Sequence, residues 1–321
     1  MFKIDRFVFA ILITISLAYL FPFWGSKSSP LPLDTISSIG IALIFFFYGL
    51  KLSPEKLKSD LTNWKLHLLI QLVTFLLFPL FVLAFHPFSE TTSETSFWLP
   101  FFFLAALPST VSSSVVMVSM AKGNVPAAIF NASISGLIGI VITPLWMGFF
   151  LSKGSSDFEL GDIYIKLLKE ILLPVILGVF MHRFWGQFAL KHTKKLATFD
   201  KSVILLIIYK SYSDSFQEKV FSTVKILDLI FVALGVLALF YGVYFISGFL
   251  SKKLNFSQED KITAQFCASK KSLVHGTIFS KILFPSTYAM GIVLLPIMLY
   301  HAFQLFIISI IATRLGKENK S

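Results

Sequence analysis

Charge is scarce in this chain, and so is cysteine. Asp, Glu, Lys and Arg make up 14% of its 321 residues, against roughly 25% in soluble domains. That excludes an ordinary water-facing surface. Acidic residues are scarcer than basic ones, 17 against 28, which leaves a formal net charge of +11. The one cysteine, Cys267, excludes an internal disulfide and so gives no reading of the redox compartment. The histidines show no metal-ligand spacing. Patterns of the kind HExxH, GxSxG, or GxxxxGK followed by Ser or Thr are missing too. A membrane protease, a lipase and an ATP-driven machine therefore lack their residues.

What is present is apolar. Hydrophobic residues make up 55% of the chain, and Phe alone occurs 37 times. A helix needs ~20 residues to cross ~30 Å of hydrocarbon. Ten segments qualify, at about 7–24, 34–50, 65–86, 97–121, 124–151, 163–185, 197–214, 226–250, 262–284 and 287–313. The seventh is the weakest, bracketed by Asp200, Lys201 and Lys210. The first follows Lys3 and Arg6 with no convincing small-residue cleavage site, and it reads as a retained span. The basic excess does not point to nucleic acid. It gathers at both ends and in the loops after even-numbered segments, while the loop His86–Ser96 carries Glu90 and Glu94 and no Lys or Arg. That bias predicts ten spans, both termini cytoplasmic, in a plasma membrane or a bacterial inner membrane.

Ten spans divide into five and five, about 1–154 and 160–315. A five-helix repeat unit must be inverted across the membrane, a common transporter plan. The expected fold is thus all-α and integral to the membrane, one domain of ten transmembrane helices in two inverted repeats. Segment four is interrupted at Pro108–Ser114, and segment nine at Ala268–Ser272. Each is followed by a proline-containing helix, with Thr143-Pro144 in one half and Leu295-Pro296 in the other. Interrupted segments at matching positions are the best sequence pointer to a binding site.

The chemistry gathers at those two breaks. Pro108 removes a backbone donor, and unwound backbone in a membrane is tolerated only inside protein or along a wet cavity. Ser109, Thr110, Ser112, Ser113 and Ser114 would offer hydroxyls there. Taken alone, such a stretch is more often a kink whose serines bond to their own backbone. Lys270 and Lys271 weigh more, because a charge at the bilayer centre costs at least ~2.5–3.5 kcal/mol. On a continuous helix Lys270, Thr277 and Lys281 would form one polar stripe and Lys271 and His275 a second, with Gln265, Ser269 and Ser272 between them. A break would instead leave one lysine beside the carbonyls that end the first half-helix of segment nine, where the helix dipole holds a cation. Lys281, nearer the interface, suits snorkelling. Asn124, Asn131 and Ser135 share a face of segment five, Gln71 and Thr74 precede Pro79, and His301 pairs with Gln304 at i, i+3. Each alone is more often an interhelical hydrogen bond, worth ~0.6 kcal/mol on average, than a ligand. His67, His86, His182 and His192 read as loop or interface residues.

Several of these runs resemble one family. Pro108–Ser114, Ala121-Lys122-Gly123-Asn124-Val125, Thr143-Pro144, Phe266-Cys267-Ala268-Ser269-Lys270-Lys271-Ser272-Leu273 and Tyr300-His301 are similar to the bile acid:sodium symporter superfamily, in its SBF-like branch. The resemblance implies a panel of helices 1, 2, 6 and 7, and a core of helices 3–5 and 8–10. It implies that broken helices four and nine cross at mid-membrane. Substrate would sit between panel and core, with access alternating by rocking. The family's sodium ligands are altered here: the segment-nine positions fall near Phe266 or Cys267 and near Lys270 or Lys271, those of segment four near Ser114 and Val115, and those of segment five at Ala128 and Ala132. Gln71 or Thr74 stands near the segment-three glutamine. A lysine ammonium would then replace sodium as a tethered cation.

The expected function is secondary transport of a small organic solute, anionic in character, within a lipid bilayer. Coupling to sodium, to protons through a lysine or His275, or to nothing all remain open, as does the oligomeric state. No cofactor is expected beyond sodium itself. The alternative is a non-transporting membrane regulator of ion homeostasis, or a partner scaffold. The candidate binding set is Lys270, Lys271, Ser109, Thr110, Ser112, Ser113, Ser114, Ser269, Ser272, Gln265, His275, Asn131, Gln71, Thr74 and His301.

Overall fold

A backbone in hydrocarbon has no water to bond, so each crossing segment must satisfy its own amides, and apolar runs of this length become helices. The computed structural model describes residues 6–52, 63–85, 97–110, 112–151, 161, 165, 168–285 and 288–318, and among them every regular element is helical. In chain order these are α1 (Arg6–Leu20), α2 (Leu33–Lys51), α3 (Trp64–Leu83), α4 (Trp98–Ala106), α5 (Ser112–Met120), α6 (Val125–Leu151), α7 (Leu168–Lys191), α8 (Thr193–Gln217), α9 (Ile226–Lys253), α10 (Gln258–Ala268), α11 (Leu273–Leu283) and α12 (Met290–Glu318). Among the described residues, α2, α3, α6, α7, α9 and α12 are long and apolar enough to cross a membrane. The loop residues Glu90 and Glu94 and the start of the expected sixth span lie outside the described residues.

The fourth and ninth expected segments are each split, into α4 with α5 and α10 with α11. A nine-residue helix such as α4 rises about 14 Å, half of the hydrocarbon thickness. The α4–α5 break is shorter than expected. Its described non-helical residues are 107–110, and Ser112, Ser113 and Ser114 already lie in the first turn of α5. Serine suits that place, because its short side chain competes for backbone bonds at a helix start rather than unwinding it. In α3, Val73–Leu77 forms a π turn, and the Phe78 amide donates to Val73 O.

The chain forms two compact units. One gathers α1, α2, α7 and α8, with the later part of α11 and the first turn of α12. Within it, α2 and α7 meet backbone to backbone. A Cβ built on Gly49 would stand 2.2 Å from Val175 O, and one on Gly178 would stand 2.2 Å from Phe46 O. Lys281 reaches the start of α2, where the Asp34 side chain is exposed. Its ammonium donates to Asp34 O (3.0 Å) and Ser38 Oγ (3.1 Å), and Lys210 pairs with the Asp34 carboxylate at 3.1 Å. Outer faces carry large apolar side chains, among them Phe180, 73% exposed, as a lipid-facing surface requires. The second unit gathers α3, α4, α5, most of α6, α9, α10, the first turn of α11 and the rest of α12. It holds the lysine pair.

The glycine contact is testable. Gly178→Ala is expected to lower the melting temperature of the purified protein, since overpacking costs about 1–3 kcal/mol. Gly242→Ala, where a Cβ would meet Phe81 at 3.5 Å, is the control and should be neutral or slightly stabilising. Equal melting of both variants would remove the close-contact argument.

Candidate functional site

Both lysines are 0% exposed. They sit in the non-helical stretch between α10 and α11, so the helical stripes that would pair Lys271 with His275, or Lys270 with Thr277, do not form. A break resets the angle between neighbours, and the two side chains reach different partners. Among the described residues no carboxylate pairs with either ammonium.

Lys271 Nζ donates to three carbonyls: Ala105 O at 2.6 Å, Leu107 O at 2.7 Å and Thr74 O at 2.9 Å. It also lies over the Phe78 ring, 4.0 Å from its centroid. The α3 π turn explains why Thr74 O is available. Phe78 N, its ordinary helical donor, goes to Val73 O, and the next residue, Pro79, has no N–H to give. Ala105 and Leu107 close α4, where the negative end of the helix dipole favours a cation. A lysine does stand at the end of a half-helix, but it is the half-helix of segment four and not that of segment nine. Gln304 pins the backbone of Lys271 from α12, with Lys271 N donating to Oε1 and Nε2 donating to Lys271 O, both at 2.9 Å.

Lys270 Nζ turns to α5 and donates to Ser113 O at 2.8 Å, its one acceptor among the described residues. The Thr110 and Ser113 hydroxyls are bonded to each other at 2.6 Å beside it. Ser114 Oγ is buried with no hydrogen-bond partner among the described residues.

The two breaks are tied directly together. Ser109 Oγ donates to Cys267 O at 2.6 Å, and Ser272 N donates to Pro108 O at 2.9 Å. Ser109 N donates to Ser135 Oγ in α6, and Thr143 Oγ1 donates to Ala106 O. Ser269 O accepts from the Tyr300 hydroxyl of α12. Ser272 Oγ accepts from His275 N at 3.3 Å, capping α11, and contacts His275 Nδ1 at 2.9 Å.

Other expected residues make no side-chain bond to either ammonium among the described residues and have partners of their own. Gln265 Nε2 donates to Tyr244 O, and Ser269 Oγ to Gln265 O. Gln71 Nε2 donates to Asn131 Oδ1 at 3.1 Å, and Asn131 Nδ2 contacts His67 Nδ1 at 2.7 Å. His67 is therefore buried in this chain of contacts, with its ring against Phe130, and is no loop residue. Asn124 caps the start of α6 and donates to Asp260 Oδ1, so it does not extend the Asn131–Ser135 face. His301 pairs with Gln304 at 3.1 Å, as its spacing predicts. Sequence reasoning missed the roles of Tyr300, Gln304 and Thr143. Tyr300 and Gln304 are i, i+4, and two polar groups on one face of an apolar helix were the available signal.

A family model for SBF-like CPA transporters matches residues 5–317. The chain belongs to the SBF-like CPA transporter family. Its relatives match end to end. An uncharacterised protein of Pseudomonas aeruginosa is 34% identical over 98% of this chain and 93% of its own length. YfeH of Escherichia coli is 32% identical over 99% and 94%. The sodium/bile acid cotransporter 7 of Xenopus tropicalis is 30% identical over 96% and 90%. The resemblance read from the two breaks thus holds, and the protein is a multi-pass membrane transporter of the SBF-like family.

Gln304→Leu should leave the amide and carbonyl of Lys271 without their partners. Each buried orphan costs roughly 1–3 kcal/mol. Hydrogen exchange should show the Lys271 amide losing protection, together with a lower melting temperature. Unchanged protection would show that Gln304 does not hold the break.

Proposed function

We propose that this protein moves a small, anionic organic solute by alternating access. Its ten spans form two inverted five-helix repeats, with both termini cytoplasmic, in a plasma membrane or bacterial inner membrane. In this reading α1, α2, α7 and α8 form the panel and the remaining helices the core. The observation that carries it is the pair of interrupted helices bonded to each other around two buried ammonium groups. Such breaks are where transporters bind cargo. The name of the Xenopus tropicalis relative, sodium/bile acid cotransporter 7, adds support for an anionic cargo.

The two lysines divide the work. Lys271 has spent its three N–H donors on carbonyls. Lys270 has one acceptor among the described residues and a hydroxyl pair beside it. Lys270, with Thr110, Ser113 and Ser114, is the group that would meet an anion. Sodium, proton or no coupling each fits this assignment.

Reconstitution into proteoliposomes tests it, with a panel of labelled organic anions and imposed sodium or pH gradients. Wild-type uptake is expected for at least one anion. Lys270→Met should reduce it roughly 10–100-fold, the worth of a charge-assisted hydrogen bond, while melting as the wild type does. No flux of any panel member would favour the regulator or scaffold reading. Wild-type flux in the Lys270 variant would remove this lysine from the solute site.

A further inference from the structure

The surroundings of Lys271 have the composition of an ion site. An ammonium presents three N–H donors, and here three backbone carbonyls receive them at 2.6–2.9 Å while an aromatic face lies at 4.0 Å. A neutral amine would turn a lone pair toward one of those oxygens, so the arrangement suits the charged form. The oxygens come from three separate places: the π turn of α3, the last turn of α4, and the residue just past it. None belongs to the lysine's own segment. The cage is uncharged apart from partial dipoles. Divalent ions draw carboxylates, whereas rings of carbonyl oxygens replace the hydration of monovalent ions.

We propose that the carbonyls of Thr74, Ala105 and Leu107 constitute a monovalent-cation site whose occupant is built into the chain as the Lys271 ammonium. The site is permanently filled, so the wild-type protein requires no free cation there. Cutting the side chain back to a methyl group opens the same cage to a cation from solution. Lys271→Ala deletes three methylenes and the ammonium, and n-propylammonium is that fragment. This inference stands whether or not the protein transports an anion.

The test uses the purified full chain in detergent, melted in matched concentrations of n-propylammonium, sodium and choline chloride. Choline is a cation with no N–H donor and too bulky for the cage. Lys271→Ala should melt below the wild type in choline and recover by roughly 2–4 °C or more in n-propylammonium, in sodium, or in both. The wild type controls for general salt effects, and an equal rise in it overturns the proposal. So does a Lys271→Ala protein that melts alike in all three salts. Lys271→Met fills the stem without the charge. It should melt below the wild type and ignore the salts, and wild-type melting in this variant also overturns the idea. Where a variant does not survive extraction, the same salts are added from lysis onward. Monodisperse Lys271→Ala recovered in n-propylammonium or sodium but not in choline supports the site, and equal loss in all three overturns it.

Discussion

Breaking a helix inside a membrane frees carbonyls that no water can reach, and the second compact unit is organised around answering them. At the end of α4 the successive carbonyls of Ala105, Ala106, Leu107 and Pro108 all accept from outside their own helix. Their donors are Lys271 Nζ, Thr143 Oγ1, Lys271 Nζ again, and Ser272 N. At the end of α10, Cys267 O and Ser269 O accept from Ser109 and Tyr300. Each break thus supplies part of what the other lacks.

Magnitudes explain why a lysine is used. An ionised side chain at mid-membrane costs about 2.5–3.5 kcal/mol on insertion scales. An unsatisfied backbone group in hydrocarbon costs several kcal/mol. One ammonium bonded to three carbonyls therefore offsets more than its own insertion penalty, which no single hydroxyl could do. The same logic makes the α3 π turn useful. It takes Phe78 N away from Thr74 O, and Pro79 cannot replace it, so that carbonyl faces the lysine.

The sequence carried the large costs clearly and the small ones poorly. Pro108 announces a break because it lacks a donor, and Lys270-Lys271 announces a site because charge in an apolar run is expensive. The family followed from the residues flanking those two places. The exact span of the α4–α5 break was not legible, since serine is at home both in unwound chain and in a first helical turn. Helical periodicity misled at Lys271 and His275, because spacing rules hold only while the helix does. His67 looked peripheral because its burial depends on Asn131 and Phe130, residues far away in sequence. Nothing local to Thr74, Ala105 or Leu107 marks their carbonyls as a cage, because any residue has a carbonyl.

The adjacency of the lysines finally acquires a physical reading. Gln304 bonds both backbone groups of Lys271, and that side chain reaches three carbonyls. Lys270, one residue earlier, starts from the same pinned stretch but faces the first turn of α5 and its hydroxyls. The break is held by Lys271 while Lys270 has one acceptor among the described residues. Any motion that preserves the Lys271 bonds moves the crossing as one piece, and any motion that severs them exposes carbonyls to hydrocarbon.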